Sequence, residues 1–236
     1  MPTGQFVTVI GSNGAGKSTF LNILAGELMP DKGRVFVDDH DITTWSVFRR
    51  SSMIARMFQD PRAGICETMS IIENVAIASA RTAPRGFRFA INADVRRRAI
   101  ERLAMLGPGL EKRLDNRVSL LSGGQRQALA LVMATLGPTK VLLLDEHTAA
   151  LDPTAAELVM KLTGEVVHSL GITAVMVTHS MRQALDYGTR TIILHQGHVT
   201  LDVSDAERAA LTIENLMRLF QRKEGTALAD DQLLLT

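Results

Sequence analysis

The 236-residue chain is 46% hydrophobic and 22% charged, a balance that fills a core and excludes a disordered polymer. Its 26 lysines and arginines face 25 acids for a formal charge of +1, so no global basic field recommends nucleic acid or an anionic membrane as a partner. The length suits one α/β domain with room for a subdomain and leaves no space for two such domains of full size. Cys66 is the lone cysteine, which excludes an intrachain disulfide, points to a reducing compartment and reads as a small buried hydrophobe. The apolar runs Ala128 to Leu136 and Val141 to Leu144 fall short of the roughly 20 residues that span a bilayer, and Met1 to Gln5 lacks a basic signal region.

In chain order, Phe6 to Ile10 is a β-branched run ending in glycine, and Thr19 to Ala25 has helical spacing, so the chain opens strand, loop, helix. A turn at Pro30 to Gly33 leads to the strand-like Arg34 to Val37, and a second strand candidate, Ile54 to Phe58, ends at Gln59-Asp60-Pro61. From Ser70 to about Leu106 the texture turns helical and charged. Ser70-Ile71-Ile72-Glu73 matches a capping box, and Asp94 to Met105 reads as a basic amphipathic helix. After Gly123-Gly124 a helix runs to Thr135, followed by strand Val141 to Leu144, a helix near Thr154 to Ser169 and strand Ile172 to Val177. Strands at Thr191 to Leu194 and Val199 to Val203, a helix at Ile213 to Gln221 and a polar tail complete the chain.

Three segments carry chemistry. Gly11-Ser12-Asn13-Gly14-Ala15-Gly16-Lys17-Ser18 fits G-x-x-x-x-G-K-[ST] between a strand and a helix. In that setting backbone N–H groups close around phosphate oxygens, Lys17 reaches the β and γ phosphates, and the Ser18 hydroxyl can ligate Mg²⁺. Val141 to Glu146 is an apolar strand ending in two acids, which puts Asp145 at the carboxyl edge of a sheet, able to hold the Mg²⁺ shell. Glu146 is then the candidate base, because a carboxylate committed to metal serves poorly as a proton acceptor. Leu121-Ser122-Gly123-Gly124-Gln125 sets a hydroxyl and two glycines at a helix N-terminus, a second anion site far in sequence from the first.

With these segments the chain resembles the ABC ATPases: Gly11 to Thr19 looks like their Walker A, Leu121 to Gln125 their signature motif, and Val141 to Glu146 their Walker B. Gln59 resembles the Q-loop glutamine, Ala150-Leu151-Asp152 the D-loop, and His179 the switch histidine, which in the family contacts γ-phosphate. The resemblance implies an α/β P-loop NTPase with a RecA-like core at about 1–60 and 137–205, an inserted helical subdomain at about 61–136 and a C-terminal extension and tail at about 206–236. It implies ATP and Mg²⁺ as cofactors, with Ser18, Gln59 and Asp145 near the metal and Lys17, Glu146 and His179 in catalysis. Partners implied are a second copy of the chain in an ATP-sandwich dimer, membrane permease subunits and a solute-binding protein, with the chain cytoplasmic and peripheral on the membrane. No nucleic acid is expected.

Two departures are visible. His147 follows the glutamate where a proline is common, and it is read as non-catalytic. Family members carry two strands and an adenine-stacking aromatic ahead of the strand into Walker A, whereas only residues 1–10 precede Gly11. A truncated N-terminal β region without that platform is therefore expected, with Phe6 assigned to the core. The runs Met57 to Pro61 and Asp145 to Pro153 resemble bacterial ATPases paired with permeases of the branched-chain-amino-acid type, which implies import of an amino acid or another small solute. A soluble ABC ATPase, for example in iron–sulfur assembly, is the alternative; sustained heptads and a second Walker A, which DNA-repair and ribosomal relatives carry, are not found here. A catalytically dead module is disfavoured by the presence of Lys17, Asp145, Glu146 and His179.

Overall fold

The computed structural model describes residues 1–81, 89–107 and 109–224. The chain opens with β1 (Phe6–Ile10), buried at every position, and a loop that enters α1 (Lys17–Ala25). Gly26 ends α1 in the left-handed conformation, where a residue without Cβ closes a helix at least cost. Next come β2 (Phe36–Val37) and β3 (His40–Asp41), which pair antiparallel as a separate ribbon, then α2 (Val47–Arg50) and β4 (Ile54–Met57). The strand expected over 34–37 forms only at its last two residues, and Phe58 falls outside β4.

Helices α3 (Ile71–Ala80), α4 (Ala93–Ala104) and α5 (Gly123–Thr135) follow. The capping box at the start of α3 is present in both directions, Ser70 Oγ accepting from the Glu73 N–H and the Glu73 carboxylate accepting from the Ser70 N–H. Then strand and helix alternate as β5 (Val141–Asp145), α6 (Pro153–Leu170), β6 (Thr173–Val177), α7 (Met181–Tyr187) and β7 (Arg190–His195). Finally β8 (His198–Ser204) returns antiparallel through Gln196 and Gly197, both with positive φ, the twist that suits a two-residue hairpin. Short α8 (Asp205–Ala209) and α9 (Ile213–Glu224) end the described chain. The tail beyond 224 lies outside the described residues.

The main sheet has six strands in the order β4-β5-β6-β1-β7-β8, parallel except for the last pair. Side chains of β5 and β6 divide between two apolar clusters. Leu142, Leu144, Ala174 and Met176 join the cluster built with α3, α4, α5 and α6, while Leu143, Val175 and Val177 join the one built with α1. Packing on both faces is why these strands read as unbroken apolar runs rather than alternating ones. Phe6 lies in the first cluster, in the core as expected.

Cys66 corrects the sequence reading: it is exposed, its Sγ 3.3 Å from Thr68 Oγ1. After the 3-10 turn Pro61–Gly64, Ile65 takes the buried slot, and the Cys66 N–H is held by Asn74 Oδ1. The thiol is left facing outward.

Among the buried polar side chains, Arg50 and His147 stand out. Arg50 is 1% exposed, and its guanidinium donates from Nη1 to the carbonyls of Ile23 (2.6 Å) and Leu24 (2.8 Å) and from Nη2 to Thr43 O (2.6 Å). A cation thus satisfies carbonyls at the C-terminal end of α1, where the helix dipole favours positive charge. His147 is 2% exposed, and its Nε2 lies 3.2 Å from Thr163 Oγ1 on α6. That hydroxyl donates to Val159 O, so the imidazole is the donor. Burial pulls its pKa from the ordinary 6.5 down to about 4.

Arg50→Met should remove the three carbonyl contacts while keeping most of the volume, lowering unfolding free energy by about 3 kcal/mol in urea titrations. For His147 the sign follows from the depressed pKa. The unfolded chain takes up a proton below about pH 6.5 and the folded one does not until about pH 4, so stability present at neutral pH is lost as pH falls through that window. The slope should approach about 1.4 kcal/mol per pH unit. His147→Gln should flatten this part of the stability profile measured between pH 7 and pH 5, and an unchanged slope would contradict the assignment.

Candidate functional site

Parallel pairing puts the carboxyl ends of β4, β5, β6 and β1 along one edge of the sheet, where α/β ligand sites form. The register is tight there. Val177 stands opposite both Val9 and Asp145, the Thr178 N–H donates to Val9 O at 3.2 Å, and the Glu146 N–H donates to Val177 O at 3.1 Å. The segments after β1, β5 and β6 are therefore fixed to one another by backbone hydrogen bonds.

The loop after β1 is shaped by glycines. A Cβ on Gly11 would lie 2.5 Å from Leu194 O, so only glycine allows the loop to leave against β7, and Gly14 and Gly16 have φ of 80° and 101°. Ser12 to Gly16 curls over the α1 N-terminus, with the Ala15 N–H donating to Ser12 O and the Gly197 N–H donating to Ala15 O. Asn13, Gly14, Ser18 and Thr19 are exposed, whereas Lys17 is buried with Nζ donating to Gly11 O (2.6 Å) and Ser12 O (3.0 Å). The ammonium thus lies beneath the loop that a phosphate would enter from above.

At the end of β5, Glu146 adopts φ +47°, the left-handed conformation that costs a residue bearing a Cβ energy and is tolerated where the surroundings impose it. The turn aims its carboxylate at His179, with Oε1 2.7 Å from Nε2. Asp145 faces the other way and accepts at Oδ2 from Arg56 Nη2 at 2.6 Å. Gln59, one residue past the exposed Phe58, is itself exposed at the same edge.

Ser122 to Gln125 begin α5. Ser122 Oγ accepts from the Gln125 N–H (3.2 Å) and Gln125 Oε1 accepts from the Ser122 N–H (3.1 Å), so the motif is also a capping box. A Cβ on Gly123 would meet Leu151 Cδ2 at 3.1 Å, and one on Gly124 would meet Ala155 Cβ at 3.0 Å. These glycines admit the Ala150-Leu151-Asp152 segment and the start of α6 as close neighbours, a packing role that the sequence pattern alone did not reveal.

Two residues of the site escaped sequence reading. Gln127, 0% exposed, donates from Nε2 to His147 O at 2.6 Å and to Phe58 O at 3.4 Å, tying α5 to the segments after β5 and β4. Arg56 is the lone charge in β4, Ile54-Ala55-Arg56-Met57, and pairs with Asp145. Neither belongs to a motif, and only the fold brings their partners to them.

Chemically, this edge offers backbone N–H groups, an ammonium, a hydroxyl (Ser18), a carboxylate (Asp145) and a carboxylate–imidazole pair. Among the described residues no three His, Cys, Asp or Glu side chains cluster. A cation here would draw most ligands from substrate oxygens and water, the habit of Mg²⁺ at phosphate sites.

Comparison with known proteins agrees. Residues 1–149 match the family described as ABC transporter. The chain is 43% identical over 92% of its length, and 86% of the relative's, to the tyrosine transport ATP-binding protein of Clostridioides difficile strain R20291. It is 32% identical over 96% of its length, and 88% of the relative's, to the phosphonates import ATP-binding protein PhnC of Escherichia coli strain K12. Among solved structures, the ATP-binding cassette MJ0796, in a dimeric post-hydrolysis state bound to ADP and Pi, superposes with a TM-score of 0.72 at 29% identity, covering 86% of this chain and 87% of that one. CbiO1 from Clostridium perfringens, part of the ABC transporter complex cbiONQ, superposes with a TM-score of 0.77 at 27% identity, covering 95% and 86%. With its P-loop sheet edge and these relatives, the chain belongs to the ABC transporter family as an ATP-binding, ATP-hydrolysing subunit.

Proposed function

We propose that this chain is the motor of a bacterial importer of a small solute, amino-acid-like in class, in which two copies close on two Mg·ATP and open after hydrolysis. The observation that carries the mechanism is the Glu146–His179 pair at the same sheet edge as the Lys17 loop. The solute class rests on likeness to the tyrosine transport protein.

In this mechanism the backbone N–H groups of Gly11 to Gly16 and the first turn of α1, including Thr19, hold the phosphates, and Lys17 turns from its loop carbonyls to the β and γ oxygens. Ser18 and Asp145 would hold Mg²⁺, with the Gln59 amide oxygen beside them, and the cation would supply charge neutralisation to the phosphates there. Glu146 accepts the proton of the attacking water. His179 fixes the Glu146 carboxylate and reaches the γ-phosphate.

Ser122, Gly123, Gly124 and Gln125 complete the site from the second copy. With γ-phosphate between two positive helix ends the halves attract, and its loss removes that attraction. The core at 1–60 and 137–205 handles nucleotide, the helical part at 61–136 meets a membrane permease fed by a solute-binding protein, and 206–236 is an extension. No helix among the described residues is long and apolar enough to cross a membrane, and attachment to the cytoplasmic face through the permease fits that.

Glu146→Gln should bind ATP, accumulate as a dimer by light scattering and lose at least about a hundred-fold of its turnover; wild-type hydrolysis in this variant would end the assignment of base. Gly123→Asp places a negative charge where γ-phosphate must approach. It should leave ATP binding by the single chain intact and abolish the dimer formed on the Glu146→Gln background. Gly123→Asn, equal in size, controls for crowding against Leu151 and should retain more of the dimer.

A further inference from the structure

Arg56 is 12% exposed in its side chain and contacts four residues from separate parts of the site at once. Nη2 donates to Asp145 Oδ2 at 2.6 Å; Nη1 donates to Asn22 Oδ1 of α1 at 2.8 Å and to Glu27 Oε1 just beyond α1 at 3.0 Å. The guanidinium lies 4.9 Å from the centre of the Phe58 ring, next to Gln59. Arg56 holds Asp145 by Oδ2, and Oδ1 is the oxygen of the same carboxylate that this contact does not engage.

We propose that Arg56 is a positioning residue for the metal half of the site: it clamps Asp145 by Oδ2 to α1 and so presents Oδ1 toward the cation held with Ser18. The inference rests on the reading of Asp145 as the metal-side carboxylate. Fork geometry is what the role requires, since a planar guanidinium can grip Asp145 and Asn22 together, while an ammonium is a single point charge. Its position in β4 fits too. Arg56 stands opposite Leu143, two residues before Asp145 on the neighbouring strand, so both side chains share the α1 face of the sheet.

Two physical effects oppose each other, and they make the test sharp. A cation beside Asp145 lowers its attraction for a second cation, so by charge alone removing Arg56 would tighten metal binding. A free carboxylate, by contrast, must be ordered when the metal arrives, and loss of a group that orients a metal ligand typically weakens metal binding by about ten-fold or more. The rigid triple anchoring favours the second effect.

The experiment measures affinity for the non-hydrolysable analogue AMP-PNP, with Mg²⁺ and with EDTA, in the full chain, Arg56→Met, Arg56→Lys and Asp145→Asn. The ratio of the two affinities is the gain due to metal. Arg56→Met should cut that gain by about ten-fold and leave the EDTA affinity unchanged, with Arg56→Lys in between; a merely structural defect would lower both affinities together. If Arg56→Met keeps or increases the gain while Asp145→Asn loses it, the positioning role is wrong and the reading of the site survives. If Asp145→Asn keeps the gain, that reading fails and takes the role of Arg56 with it. Should thermal melting show that Arg56→Met does not fold, Arg56→Lys decides, and a metal gain equal to that of the unsubstituted chain overturns the proposal.

Discussion

Everything at this site depends on the parallel register of β5, β6 and β1. Parallel strands point their carboxyl ends one way, and here the register brings Val9, Val177 and Asp145 into one row across three strands. Val9, more than a hundred positions from both Asp145 and Val177 in the chain, thereby stands in the same row as both. A slip of β5 by one position would exchange the faces of Leu143 and Leu144 and turn Asp145 from α1 toward α5 and α6. The apolar packing on both faces resists such a slip, so the core that stabilises the fold also sets the catalytic geometry.

The turn at Glu146 shows the fold opposing local preference for the sake of the site. A left-handed glutamate is strained, yet its N–H is paired to Val177 O and its carbonyl accepts from the Ala149 N–H. Those bonds hold the strain in place, and the resulting direction of the side chain is what allows contact with His179. His147 follows directly, and its side chain enters the core to reach Thr163. Asp145, Glu146 and His147 thus send three consecutive polar groups to three destinations: Arg56, His179 and the interior.

Legibility in the sequence followed locality. The phosphate loop, the strand-end acids, the α3 capping box and the Ser122–Gln125 helix start each depend on residues within a few positions, and their spacing identified them. Strand runs were legible for the same reason, because covering on both faces writes a continuous apolar pattern. What escaped is long-range. Arg50 and Arg56 look like ordinary surface charges in a run that also holds Arg49, and nothing nearby in sequence foretells that one satisfies the end of α1 and the other grips Asp145. Cys66 failed in the opposite direction: its residue type favours burial, but the turn before it gave the interior place to Ile65. Short β2 and β3 were blurred because an isolated two-residue pair carries no period to detect.

Besides the burial of His147, Thr148 and Thr178, neutral hydrogen bonds cross-brace the segments that follow β4, β5 and β6. Gln127 spans from Phe58 O to His147 O, and Gln183 on α7 receives a hydrogen bond from Thr178 Oγ1 and donates to Thr148 Oγ1 at 3.4 Å. Each such bond contributes only about 1 kcal/mol net, far less than the apolar clusters beneath them. Rearranging them is therefore inexpensive compared with disturbing the sheet, and under the proposed mechanism the charge-assisted contacts of a bound nucleotide would be the larger interactions. A rigid sheet with weakly braced loops is what a nucleotide-driven switch requires: the strands keep the phosphate loop, acids and histidine in register, while α5, held to the loops through Gln127, can follow their displacement.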